Sequence, residues 1–326
     1  GAAAYSPAKY GILTELLPPS QLVRANGWIE GLTIASIILG VLLGGQLVGP
    51  QLAPRLLGLD LPGLHSGIDT PAEAAIASLV LVYAIAAAIN LRIPHTGVRM
   101  RPLPARTLSL LPDFWRCNAR LWRDKLGQIS LATTTLFWGV SGNMRYIVLA
   151  WAAAALHYST TQAASLVGVV AIGTAVGAVL ASMRVRLDRA TRVMPLGVLM
   201  GALLVAMVFV HSLWVAVPFL ILMGALGGYI VVPMNALLQH RGHNLMGAGR
   251  SIAVQNFNEQ ACILGLGALY SASTGAGLSA FGAIALFGGV VMAFMLLIQR
   301  WHRHNLRRYP GKVERLLNIA RRDRGH

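Results

Sequence analysis

Charge is scarce in this chain, and acidic charge is scarcest. Only 12% of its 326 residues are charged, with 11 Asp and Glu against 27 Lys and Arg. A soluble globular chain carries about 25% charged residues, so this composition is that of a membrane protein. Cysteine is nearly absent as well. Cys117 and Cys262 lie far apart and in no CxxC or metal-ligand spacing, which excludes a disulfide framework and a zinc site. The chain holds no Ser/His/Asp set, no phosphate-cradling glycine loop and no metal cluster. A membrane-embedded acyltransferase would want an H-x4-D spacing, and the nearest string, HSGID at His65–Asp69, is one residue short. The sequence therefore reads as a non-enzyme that needs no cofactor.

What the chain does have is apolar length. Apolar residues make up 56% of it and the mean hydropathy is +0.62. A bilayer core about 30 Å thick is crossed by roughly 20 apolar helical residues. Eight segments meet that need: 28–49, 74–93, 129–152, 162–182, 194–211, 214–236, 251–270 and 279–299. Trp28, Trp151, Trp214 and Trp301 fall at the expected span ends, where an indole can face both lipid and water.

The positive charge, +16 overall, would suggest nucleic acid if it lined a face. Instead it clusters in loops on one side: the 94–128 segment, the 183–193 turn, the Arg241–Arg250 turn and the tail from Arg300. Such asymmetry is the positive-inside signal, so these loops and the C-terminus are expected in the cytoplasm. Arg24 and Arg92 fall on the same side, which leaves Lys9, Arg55 and Arg145 outside this pattern, and Lys9 and Arg145 fall within apolar stretches.

Six expected spans follow the basic 94–128 segment, whereas two precede it. A transporter of two six-helix halves joined by a long cytoplasmic loop gives this pattern when its first three and a half helices are absent. On that reading residues 1–93 are the remainder of an N-terminal bundle: the end of a fourth helix, then a fifth and a sixth. Residues 94–128 are a basic linker, 129–300 a C-terminal six-helix bundle, and 301–326 a basic tail. Eight complete spans plus the end of a ninth are expected in an all-α membrane fold. Glycines at 40, 44 and 49, and at 168, 173 and 177, are expected to let helices approach closely.

Five strings carry a resemblance: GAAAYSPAKYGIL, VRANGWIEGLTIASIILG, TTLFWG with Arg145 beyond it, IVVPMNALLQHRG and GAGRSIAVQNFNE. Together they resemble the lysophospholipid transporters of the major facilitator superfamily. The resemblance implies twelve helices in two bundles. The implied activity is movement of lysophospholipids, notably lyso-phosphatidylethanolamine, across the bacterial inner membrane. The product would pass to a cytoplasmic acyltransferase–acyl-carrier-protein synthetase. An acidic residue expected on the family's first helix has no counterpart in this chain.

Charges and amides inside the expected spans are the site candidates, because a buried charge in a membrane helix is costly. Thr134, Trp138, Ser141 and Arg145 share one helical face, and a guanidinium there suits a phosphodiester. Snorkelling of Arg145 to the headgroups is the structural alternative. Lys9, in SPAKYG, is a second phosphate candidate, or an ordinary interfacial lysine. Glu259 is the sharpest acidic candidate, with Gln255 one helical turn before it and Ser251 and Asn258 read as part of the same stripe. Its partner would be a substrate ammonium, a coupling cation or Arg145, unless the group merely joins helices. Glu30 sits near a span end, with either an interfacial or a substrate role. Asn235, behind Pro233, is expected at a break or kink in its helix.

Overall fold

Helix starts and stops in this chain are written in a few capping residues. The computed structural model describes residues 10–48, 70–93, 97 and 110–322. Lys9, Arg55 and the His65–Asp69 string lie outside them. The chain divides into two compact units, Gly1–Leu32 with Val98–His326, and Thr33–Gly97.

In the smaller unit, helix α1, Pro19–Val48, completes its course. Helix α2, Pro71–Asn90, opens on a capping box: the Thr70 hydroxyl accepts from the Glu73 amide while the Glu73 carboxylate accepts from the Thr70 amide. Two of the first orphan N–H groups are satisfied in this way. Beyond its first turn α2 is apolar all round, and Leu79, Leu81, Tyr83 and Ile89 are exposed. A helix with no polar face and no buried face is suited to lipid on most sides.

The larger unit holds residues 10–16 as a helical stretch, the start of α1, and eight further helices. These are α3, Leu110–Arg123; α4, Gly127–Leu156; α5, Thr160–Arg184; α6, Met194–Ala206; α7, Leu213–Met246; α8, Ala248–Gly275; α9, Ala280–Arg308; and α10, Pro310–Arg322. A 3-10 turn, Leu187–Val193, leads into α6, and a second, Met207–Phe209, leaves it. A Ser159–Gln162 capping box starts α5 and Ser279 caps α9. Gly247, at φ 85°, separates α7 from α8. That backbone conformation is open to glycine and strained for other residues.

Helices α5 and α7 meet backbone to backbone. A Cβ on Gly173 or Gly177 would run into the main chain at Ile221 and Ala225, and one on Gly224 or Gly228 into that at Val170 and Thr174. Two of the expected packing glycines thus act as expected. Gly168 and Gly40 do not, since a Cβ on either would meet nothing within 4 Å. Around this seam the core is filled by Trp151, Phe287, Ile147, Leu204 and Met207.

Five stretches are long and apolar enough to cross a membrane: Glu73–Asn90, Gln162–Arg184, Leu187–Phe209, Leu213–Met246 and Ala280–Arg308. The expected 129–152 and 251–270 spans are helices of 30 and 28 residues but are not among the five. Polar side chains lower their hydropathy, most of all Gln255, Asn256, Asn258, Glu259 and Gln260 on α8.

The basic 94–128 segment holds α3, which joins α4 through a short turn at Asp124. The basic tail is helical too. Helix α9 runs on to Arg308, and α10 packs Val313 and Leu316 on Leu126. Of the break or kink expected at Asn235, the break is absent, since α7 passes through both Pro218 and Pro233 as one helix of 34 residues. Trp151 is fully buried rather than interfacial, because α4 continues past it to Leu156.

Candidate functional site

Three helices each carry two polar residues one turn apart: Asn26 and Glu30 on α1, Asn235 and Gln239 on α7, Gln255 and Glu259 on α8. Side chains four apart on a helix share a face. The fold turns these faces toward one another and links five of the six residues into a ladder.

The ladder begins at Asn26, which is fully buried. Its Nδ2 donates to Gln239 Oε1 at 2.8 Å and to the Leu22 carbonyl at 2.8 Å, while Gln239 Nε2 donates back to Asn26 Oδ1 at 3.0 Å. Asn235 Nδ2 also donates to Asn26 Oδ1, at 3.3 Å. Gln255 Nε2 then donates to Asn235 Oδ1 at 2.7 Å and to Glu259 Oε1 at 2.8 Å. Buried amides cost several kcal/mol in hydrocarbon unless paired, and here each carboxamide takes its partner from another helix.

Glu259 ends the ladder at the wall of a cavity of about 560 Å³. Tyr10, Trp138, Asn235, Gln255 and Gln260 line the same cavity. Glu259 is 8% exposed. Its one hydrogen bond among the described residues comes from Gln255, and none of the ion pairs there reaches it. A buried carboxylate facing an open volume is equipped to meet a cation or a proton. Glu30 is also buried and accepts a hydrogen bond from Tyr10 Oη at 2.9 Å.

The sequence candidates thus divide. Glu259, Gln255 and Asn235 line one cavity, and Glu30 is joined to it through Tyr10. Arg145 does not line it. The guanidinium is exposed and pairs with no carboxylate among the described residues. It stands seven residues beyond cavity-lining Trp138 on the same stripe of α4, which is about 10 Å along the helix at 1.5 Å per residue. Asn258 leaves the expected stripe. It accepts from Trp122 Nε1 at 3.2 Å and donates to Asn118 at 2.9 Å, toward α3.

Sequence reading missed Asn26, Gln239 and Tyr10. The turn-spaced pairs in VRANGWIE and PMNALLQ were the available signal. It also missed a buried ion pair below the cavity's ladder. Arg241 was assigned to a turn, yet it is 4% exposed within α7. Its Nη2 and Nε donate to the two oxygens of Asp124 at 2.7 and 3.1 Å, and Asp124 accepts from the Gly127 amide at 2.7 Å. Burial works against ionisation of Asp124, but Arg241 and the Gly127 and Leu126 amides together outweigh it and hold the carboxyl below its ordinary value.

A bundle of membrane-length helices around a polar cavity is the architecture of a solute carrier, and residues 1–265 match the family model of the Major Facilitator Superfamily. The chain belongs to that superfamily. Its relatives there include the lysophospholipid transporter LplT of Yersinia enterocolitica serotype O:8 / biotype 1B, 40% identical over 272 residues. That match covers 83% of this chain and 62% of the relative. Proteins of the same name from Yersinia pestis strain Pestoides F and Yersinia pseudotuberculosis serotype O:3 strain YPIII are also 40% identical over 272 residues, with the same coverage. The chain spans about 62% of the length of these curated relatives. No solved structure matches it. As a superfamily member this chain is a multi-pass membrane protein, and its relatives are named as transporters.

Proposed function

We propose that this protein carries lysophospholipids, with lyso-phosphatidylethanolamine as the preferred substrate, across the bacterial inner membrane by alternating access. The observation that carries the reading is Glu259. It is a buried carboxylate with no basic partner among the described residues, at the wall of a polar cavity. An ethanolamine headgroup brings an ammonium to that carboxylate and a phosphate within reach of cations. Arg145, on the cavity stripe of α4, takes the phosphate near the outer end, and Lys9 takes it near the inner end. Asn235 and Gln255 offer amide contacts between them, and Glu30 bears on the same space through Tyr10. The acyl chain stays in lipid, leaving through a gap between helices while the headgroup crosses.

In this reading the basic loops and the C-terminus face the cytoplasm. There an acyltransferase–acyl-carrier-protein synthetase would take the product. The 40% identity to proteins named lysophospholipid transporter supports the substrate class. A transporter of other small molecules is the competing reading, favoured by the cavity's volume, which suits a compact polar solute as well.

Uptake of radiolabelled lysolipids into proteoliposomes tests the assignment. Glu259→Gln is expected to slow uptake of lyso-phosphatidylethanolamine about tenfold or more, the scale of a lost hydrogen bond to a charged group. It should slow lyso-phosphatidylglycerol, which has no ammonium, far less. Equal loss for both lipids would remove the ammonium role. No uptake of either lipid by the unaltered protein, alongside saturable uptake of a soluble solute, would favour the competing reading.

A further inference from the structure

Helix α3 carries three arginines on one face. Arg116, Arg120 and Arg123 recur at spacings of four and three, which puts them on one side of the helix. The far side packs inward, where Cys117 and Leu121 meet Leu131 of α4, Leu238 of α7 and Val254 of α8. With Trp115 and Ala119, the three arginines line a cavity of about 510 Å³. Carboxylates do not neutralise it. Helix α3 and the turn after it hold two, and both are taken: Asp113 pairs with Arg250 at 2.8 Å and Asp124 with Arg241 at 2.7 Å. None of the ion pairs among the described residues reaches Arg116, Arg120 or Arg123. Two of the guanidinium groups are steadied by main chain: Arg116 Nε donates to the Pro112 carbonyl and Arg120 Nη1 to the Leu245 carbonyl, each at 3.2 Å. Their other N–H donors remain for a ligand. Guanidinium groups gathered round one open volume suit a phosphate, which accepts two parallel donors from each arginine.

The same cavity borders an apolar surface. Trp115 lines it and meets Phe257 of α8 edge to face, with ring centroids 5.5 Å apart. Trp115, Phe257 and, two turns further along α8, Leu264 are all exposed. On the flank of α3 that carries Trp115 stands Trp122, stacked on Trp301 at the end of the α9 span with centroids 6.1 Å apart. Tryptophan at a span end marks the depth of the headgroups. The three arginines therefore lie at the level of lipid phosphates, and Phe257 and Leu264 lie toward the tails. A soluble anion would leave the apolar half of this arrangement unused. A phospholipid matches both halves.

We propose that Trp115, Arg116, Arg120 and Arg123 bind the phosphate headgroup of one anionic bilayer phospholipid, whose acyl chains run over Phe257 and along α8 toward Leu264. None of these residues lines the polar cavity. The site is distinct from the transport path and stands whichever solute is carried.

Native mass spectrometry of the detergent-purified protein, titrated with phosphatidylglycerol or phosphatidylcholine of matched chains, reads the site directly. The protein should bind one phosphatidylglycerol about tenfold more tightly than phosphatidylcholine, whose own cation offsets its phosphate. Combining Arg116→Gln, Arg120→Gln and Arg123→Gln should bring phosphatidylglycerol to the level of phosphatidylcholine. Arg123→Gln alone breaks no ion pair and should weaken phosphatidylglycerol severalfold. Trp115→Ala should weaken both lipids. Removing three exposed charges elsewhere, by Arg184→Gln, Arg189→Gln and Arg192→Gln together, should change little. Equal loss from the two triple variants would show attraction by overall charge alone and overturns the site. So does equal affinity for the two lipids in the unaltered protein. Displacement of phosphatidylglycerol by an equimolar amount of inorganic phosphate overturns the lipid assignment in favour of a soluble anion.

Discussion

Asn26 on α1 and Gln239 on α7 exchange two hydrogen bonds, at 2.8 and 3.0 Å, although 213 residues separate them. Each amide uses both its ends on the other, so the pair fixes the rotation of both helices about their axes. Hydrogen bonds between membrane helices contribute about 0.6 kcal/mol on average and up to about 1.7 in measured cases. A reciprocal pair should lie toward the upper figure.

Breaking that pair gives the first prediction. Asn26→Leu or Gln239→Leu should each lower stability by about 1–2 kcal/mol, because the surviving amide is left buried without its partner. The double variant should cost less than the sum of the two. A double-mutant cycle on reversible unfolding in mixed micelles measures the coupling, and simple additivity would show that the two amides act independently.

The Asp124–Arg241 pair gives a prediction with a sign. Asp124 has its carboxyl held below the ordinary value of 3.8. Its stabilising contribution is therefore complete above that value and is lost as pH falls through the lowered one. Unfolding followed from pH 6 to pH 2 should show a loss of stability beginning below about pH 3.8 that the Asp124→Asn variant lacks. At neutral pH the same variant should be destabilised by about 3–5 kcal/mol, the cost of stranding a buried charge.

Arg145 is exposed, so replacing it should leave folding untouched. Arg145→Gln is expected to keep membrane insertion and the elution profile of the unaltered protein while cutting lysolipid uptake about tenfold or more. Arg145→Lys should retain more activity but less than the original, since an ammonium cannot grip a phosphate with two parallel donors. Full uptake by Arg145→Gln would take the residue out of the substrate path.

The glycine seam between α5 and α7 makes a stability prediction independent of function. Gly177→Val or Gly228→Val places carbon where the facing main chain already lies. Overpacking of this kind costs about 1–3 kcal/mol or more, so the fraction of monodisperse protein in size-exclusion chromatography should fall. Gly168→Ala, where nothing lies within 4 Å, should change nothing or stabilise the helix slightly.

Much of this was legible in the residues. Apolar length marked five stretches that the fold keeps as membrane-length helices, and the cluster SIAVQNFNE pointed to Gln255 and Glu259 because polar atoms in a membrane helix require a purpose. What was hidden is what one helix cannot say about another. That Asn26 finds Gln239, and that Asp124 finds Arg241, depends on tertiary contacts over 213 and 117 residues. Asn258 was misassigned because a stripe defined on one helix omits the neighbour, α3, that claims its far edge. Helix α3 itself was obscured by its arginines, which read as loop charge. Pro233 suggested a break or kink, and α7 runs through it as one helix.

That unbroken α7 has a mechanical consequence. Asn235, Gln239 and Arg241 ride within two turns of a single rod, so a tilt that pulled the carboxamides from Asn26 and Gln255 would also shear the guanidinium from Asp124. The two latches open together or not at all, and whatever strains one of them loads the other.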